Sequence, residues 1–156
     1  TPGQDYVEND IAFFFTTALG RSGKDDSPRF VVRVLILDDD KATGIALKQR
    51  FEERGYEVFL STNTVDGLYR LRAVLPAALL VSQNFGEVPG LEICRLVKLS
   101  RDVGALPVFV YGGVEKDFAD RARAAGAANS FRPGAGMDEI AAAVGAAIAN
   151  TSAERG

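Results

Sequence analysis

The chain contains no histidine. That absence removes the commonest metal ligand, the usual general base and any phosphotransfer through a histidine of this chain. There is one cysteine, Cys94, so no disulfide can form within the chain and a reducing compartment suits it. With no histidine to activate its thiol, Cys94 reads as a small core residue rather than a reactive group. Positive charge is not in excess: 18 Lys and Arg against 21 Asp and Glu give a formal charge of −3. No basic stripe stands out to neutralise phosphates, and direct nucleic-acid binding is not expected. Long apolar runs are also missing. The longest near the start, Ile11 to Leu19, is far shorter than a bilayer requires and no basic segment precedes it, so neither a membrane span nor a secretory signal is expected. What these exclusions leave is a soluble cytoplasmic chain of 156 residues, 47% hydrophobic, long enough for one buried core and too short for two full domains.

The stretch that organises the rest is Val34-Leu35-Ile36-Leu37-Asp38-Asp39-Asp40. A continuous branched apolar run followed by a helical pattern reads as a parallel strand buried on both faces. The acids then stand at its carboxyl end, the edge of an open α/β sheet where ligands and ions collect.

Before it, Asp5 to Leu19 has helical spacing, and Gly20 to Arg29 has the composition of a linker. Phe13, Phe14 and Phe15 cannot all face one way on a helix; the main domain, a second copy or a partner must cover some of them. After it, the spacing predicts strands over Phe30–Leu37, Glu57–Leu60, Ala77–Val81, Leu106–Tyr111 and Ala127–Phe131. Helices are predicted over Lys41–Arg54, Val65–Val74, Gly90–Leu99, Glu115–Ala125 and Met137–Asn150. Strands and helices that alternate in this way indicate one α/β domain, a doubly wound five-stranded parallel sheet of flavodoxin-like type. The expected organisation is an N-terminal helix and linker over 1–29, the domain over 30–150 and a tail over 151–156.

The order and spacing of LILDDDKATGIALKQRFEERGYEV, of Pro76-Ala77-Ala78-Leu79-Leu80-Val81, of PGLEICRLVK, of LPVFVY and of the later AGA resemble the receiver domain of two-component response regulators, over about Arg33 to Ile148. The resemblance implies aspartyl phosphorylation chemistry: carboxylates that hold a divalent cation, a third that accepts phosphoryl, and a hydroxyl and a lysine that compensate the new charge. Asp38 and Asp39 match the family's two acids after the first strand. The phosphoacceptor position holds Ser82, a poor nucleophile without a base. The hydroxyl position after the fourth strand holds Gly112. The lysine of the family's Lys-Pro pair, often joined by a cis bond, is either replaced by Arg132 across a one-residue deletion or lost, with Pro133 in its place. The family's aromatic switch falls on Ser130, or on Phe131 if the deletion lies earlier.

Three departures, at acceptor, hydroxyl and cation positions, point to an atypical, aspartate-less pseudo-receiver. On this reading the chain is no enzyme and has no catalytic residue. No cofactor is expected, Mg²⁺ being the one candidate and Asp38 and Asp39 its only candidate ligands, with Lys41, Arg132 or water expected to neutralise the acids. The expected function is a phosphorylation-independent protein-interaction module in bacterial signal transduction, detached from something larger. Its partner is another signalling protein, an attached output or kinase domain, or a second copy. The candidate contact residues are Glu115, Lys116, Asp120, Arg121 and Arg123 on the fourth helix, together with Phe13 to Phe15. The alternative is a sensor that takes a small ligand or ion in the acid-lined pocket. A flavodoxin-like enzyme fits less well, because acids would repel phosphates after the first strand.

Overall fold

The computed structural model describes residues 31–86 and 88–155. The chain divides into two units, Thr1–Val32 and Arg33–Gly156, and the second carries the fold. The expected N-terminal helix and linker, with Phe13, Phe14 and Phe15, lie outside the described residues.

Five parallel strands form one sheet: β1 (Arg33–Leu37), β2 (Glu57–Ser61), β3 (Ala78–Ser82), β4 (Val108–Tyr111) and β5 (Asn129–Phe131), in the order β2-β1-β3-β4-β5. The helices are α1 (Lys41–Glu53), α2 (Thr64–Val74), α3 (Gly90–Leu99), α4 (Phe118–Ala124) and α5 (Met137–Arg155). The three central strands are buried along nearly their whole length, whereas Glu57 on β2 and Asn129 on β5 are exposed. The sheet is therefore the doubly wound parallel type expected from the alternation of elements. Strand order reverses between β1 and β3, and the crevice at that reversal is where such sheets place ligands.

Alternation along each strand sorts the core into two layers. Leu35, Leu37, Leu79, Val81, Val108 and Val110 pack with Leu71, Ile93, Val97 and Phe118 in one cluster. The opposite parity holds Val34, Ile36, Ala78, Leu80 and Phe109, all buried. Right-handed crossovers put α1 on this second face, and α5 packs against α1. Its stripe Ile140, Val144 and Ile148 is buried as its four-residue spacing indicates.

Several boundaries move. Residues 115–117 form a bend and turn before α4, so Glu115 and Lys116 stand ahead of the helix rather than on it. Strand β5 begins at Asn129, not Ala127, and α5 runs past Asn150 to Arg155. Helical spacing puts Ile45, Leu68 and Leu96 among the apolar positions of α1, α2 and α3, yet they are 39%, 36% and 50% exposed. On α1 the inward position next to Ile45 goes to Gly44, whose missing Cβ would fall 2.7 Å from Leu60 Cδ1. Gly55, a helix-stop residue just past the periodic run, ends α1 with φ +94°, and Tyr56 closes edge-on over Phe51 with ring centroids 5.7 Å apart.

Gly90 brings α3 against the end of β3. A Cβ there would stand 2.5 Å from the Ser82 carbonyl oxygen and 2.9 Å from Gln83 Cα. Both are backbone atoms that cannot swing aside. Gly90→Ala is expected to destabilise the chain by about 1–3 kcal/mol, the usual range for overpacking, seen as a lower urea midpoint at unchanged slope.

Candidate functional site

The carboxyl edge of the sheet opens into a cleft of about 460 Å³ whose lining includes Asp38, Asp39, Ser82, Tyr111, Gly112 and Arg132. The expected site residues therefore converge, and they are joined by a tyrosine that the sequence reading had placed only in a strand.

Strand register explains why. Leu37 pairs with Val81 and Ser82 pairs with Tyr111, so Asp38, Ser82 and Tyr111 form one row across three adjacent strands and share a face. Asp38 is only 3% exposed. Its Oδ2 accepts from the Tyr111 hydroxyl at 2.8 Å and its Oδ1 from the Asp40 amide at 2.9 Å. Burial pushes the Asp38 carboxyl above its ordinary value, against the two hydrogen bonds, which pull it down, and Asp40 and Asp39 add a smaller upward push. Burial and the nearby Asp38 push the Tyr111 phenol far upward as well, so it stays a neutral donor.

The other two acids have separate work. Asp39 Oδ2 accepts from the Gly86 amide at 2.9 Å and so ties the end of β1 to the β3–α3 loop. Asp40 precedes α1 and its Oδ2 accepts from the Thr43 hydroxyl at 2.7 Å, which holds its carboxyl below the usual range. The Ser82 hydroxyl oxygen accepts from the Asn84 amide at 3.2 Å, which closes the turn after β3.

Arg132 does not neutralise the acids as expected. Its guanidinium donates to the carbonyls of Glu115 and Val114 at 3.1 and 3.0 Å, and among the described residues neither it nor Lys41 forms an ion pair with Asp38, Asp39 or Asp40. The geometry favours this: Arg132 leaves β5 beside the β4–α4 loop, where two carbonyls match its forked donors. All peptide bonds among the described residues are trans, Arg132–Pro133 included. Gly112 has φ +92°, a conformation that side chains rarely adopt, and its amide donates to the Phe131 carbonyl at 2.8 Å. Of the two β5 positions considered for an aromatic switch, Phe131 is buried and Ser130 half-buried. Cys94 is buried, its thiol pushed up to about 11 by burial.

A divalent cation, the group that the receiver resemblance implies, does not fit this arrangement. Each oxygen of Asp38 and one oxygen of Asp39 already accept a hydrogen bond, and the side chain at the end of β3 is the neutral hydroxyl of Ser82. Among the described residues no group of three or more acidic or thiol side chains converges as a cation site.

Comparison with known proteins agrees with the fold. The chain is 21% identical to the signal receiver domain of the DNA-binding response regulator merR from Colwellia psychrerythraea 34H, with a TM-score of 0.70 over 75% of this chain and 98% of that one. It is 20% identical to a CheY-like receiver domain protein from Methanospirillum hungatei JF-1, with a TM-score of 0.72 over 80% of this chain and 99% of that one. The fold is that of a response-regulator receiver domain. In sequence, it is 33% identical over 79 residues to the response regulator MprA of Mycobacterium bovis, covering 51% of this chain and 34% of that protein. The corresponding protein of Mycobacterium avium is 32% identical over the same length. The receiver-fold chain thus spans about a third of the length of the curated relatives it matches. No family model matches it.

The raised carboxyl of Asp38 has a consequence for stability. A group whose pKa is higher folded than unfolded contributes stability that is full below the unfolded value and lost as pH rises through the folded one. Asp38→Asn keeps an acceptor for the Asp40 amide and removes the buried charge. It is expected to raise the thermal midpoint at pH 7, with the gain shrinking as the pH approaches about 4. Thermal unfolding followed at both pH values checks this, and a pH-independent gain would exclude titration of Asp38 as the cause.

Proposed function

We propose that this chain is a receiver-fold interaction module of bacterial signal transduction that works without phosphorylation. The observation that carries the reading is Ser82, 7% exposed, at the end of β3 with its oxygen engaged by the Asn84 amide. A hydroxyl in that position could yield only a phosphate ester, never the acyl phosphate that a carboxylate forms. The module corresponds to the span 30–150, with 1–29 as an N-terminal extension and 151–156 as a tail. It acts in the cytoplasm on another signalling protein, an attached output or kinase domain or a second copy, and is not itself a catalyst or a nucleic-acid binder. Among the described residues no helix is long and apolar enough to cross a membrane.

The face used by the module is the one around α4. Asp120 and Arg123 pair with each other at 3.1 Å, while Arg121 is exposed and has no ion-pair partner among the described residues. Glu115 and Lys116 stand exposed in the preceding turn. Such a mixed set favours one docking register over others, with exposed pairs contributing specificity more than affinity. The cleft volume supports a second reading, regulation by a small ligand at the acid-lined edge.

Acetyl phosphate with Mg²⁺ tests the leading reading. The intact mass, the elution volume and the amide shifts near Gly112 and Ser130 are expected to stay unchanged. Stoichiometric uptake of one phosphoryl group with a change in association state would overturn it.

A further inference from the structure

Tyr111 does more than fill the core. Neighbouring strands lie about 4.8 Å apart, so β4 and β1 are separated by two such spacings. The phenol nevertheless reaches Asp38 Oδ2 at 2.8 Å, and the residue between them in the row is Ser82. A carboxylate at 82 would stand in the path of the ring and bring a second buried negative charge beside Asp38. The small serine leaves the path open.

From this we infer that Ser82 and Tyr111 form one matched substitution: the serine clears the middle of the row, and the phenol crosses it to occupy the Asp38 oxygen that a cation would otherwise use. Tyr111 is therefore a positioning residue that closes the site to divalent cations and ties the end of β4 to the end of β1. The Arg132 guanidinium on the Val114 and Glu115 carbonyls secures the next turn of the same loop. The carboxyl edge on the β4 side is thereby held in place by the chain's own side chains. The inference rests on the proposed loss of phosphoryl chemistry but makes a separate claim. It says which residue keeps the cation out, and that restoring an acid at 82 alone does not readmit it.

A hydrogen bond to a charged group contributes about 1.5–3 kcal/mol, which corresponds to roughly tenfold to a hundredfold in affinity. Mg²⁺ is titrated into the full chain and its variants by calorimetry, with the amides of residues 38–40 followed by NMR. The native chain and Ser82→Asp are expected to show no saturable binding. Tyr111→Phe keeps the ring and loses only the hydroxyl; it is expected to bind Mg²⁺ saturably, at least about tenfold more tightly than the upper limit set by the native titration. Ser82→Asp combined with Tyr111→Val should bind more tightly than Tyr111→Phe, and Asp38→Asn should abolish each gain. Tighter binding by Ser82→Asp alone, equal to that of the double variant, would overturn the inference, as would Tyr111→Phe with unchanged affinity. Should the double variant fail to fold, Tyr111→Phe decides alone, its folding checked by circular dichroism. Phosphoryl uptake by the native chain is a different observation and bears only on the function proposed above.

Discussion

A carboxylate taken out of water has to find donors for its oxygens, because leaving a buried charge unsatisfied costs several kcal/mol. Asp38 at 3% exposure is under that constraint, and the carboxyl edge of this sheet is built around meeting it. A bound cation would be one way to do so. This chain instead uses the Tyr111 hydroxyl and the Asp40 amide, both supplied from within the fold. From that choice follow the neutral phenol on β4, the small residue on β3, and the freedom of Asp39 and Asp40 to serve a loop and a helix end.

The same economy governs Arg132. Expected to offset the acids, it is satisfied by two loop carbonyls, so the cleft keeps its acidic side without an internal counter-charge from Arg132 or Lys41. The two halves of the edge are thus held by different bonds: the β1 to β4 side through a buried phenol and carboxylate, and the β5 to α4 side through an exposed guanidinium and neutral carbonyls. The interaction surface proposed around Arg121 lies next to the second of these.

Much of this was legible in the sequence. The unbroken Val34–Leu37 and Leu79–Val81 runs, the stops at Gly55 and Pro76, and the four-residue stripe on α5 fix the architecture, because each reflects burial or backbone geometry that local residues decide. Ile45, Leu68 and Leu96 went astray because helical periodicity does not say how wide the buried stripe is. On α1 a glycine takes the inward position, letting the helix approach the Leu60 side chain closely. Arg132 and Tyr111 could not be placed for a related reason. Two-residue alternation from Phe109 puts Tyr111 on a definite face, but only the register between strands reveals that this face also carries Asp38, two strands away.

Gly112 limits what the end of β4 can carry. Its backbone, at φ +92°, lies where a β-branched residue is strained by about 1–2 kcal/mol, so a threonine placed there would push the loop toward a different path. The amide that donates to the Phe131 carbonyl would shift with it, and a side chain gained on the cleft would therefore be felt at the outer strand of the sheet as well.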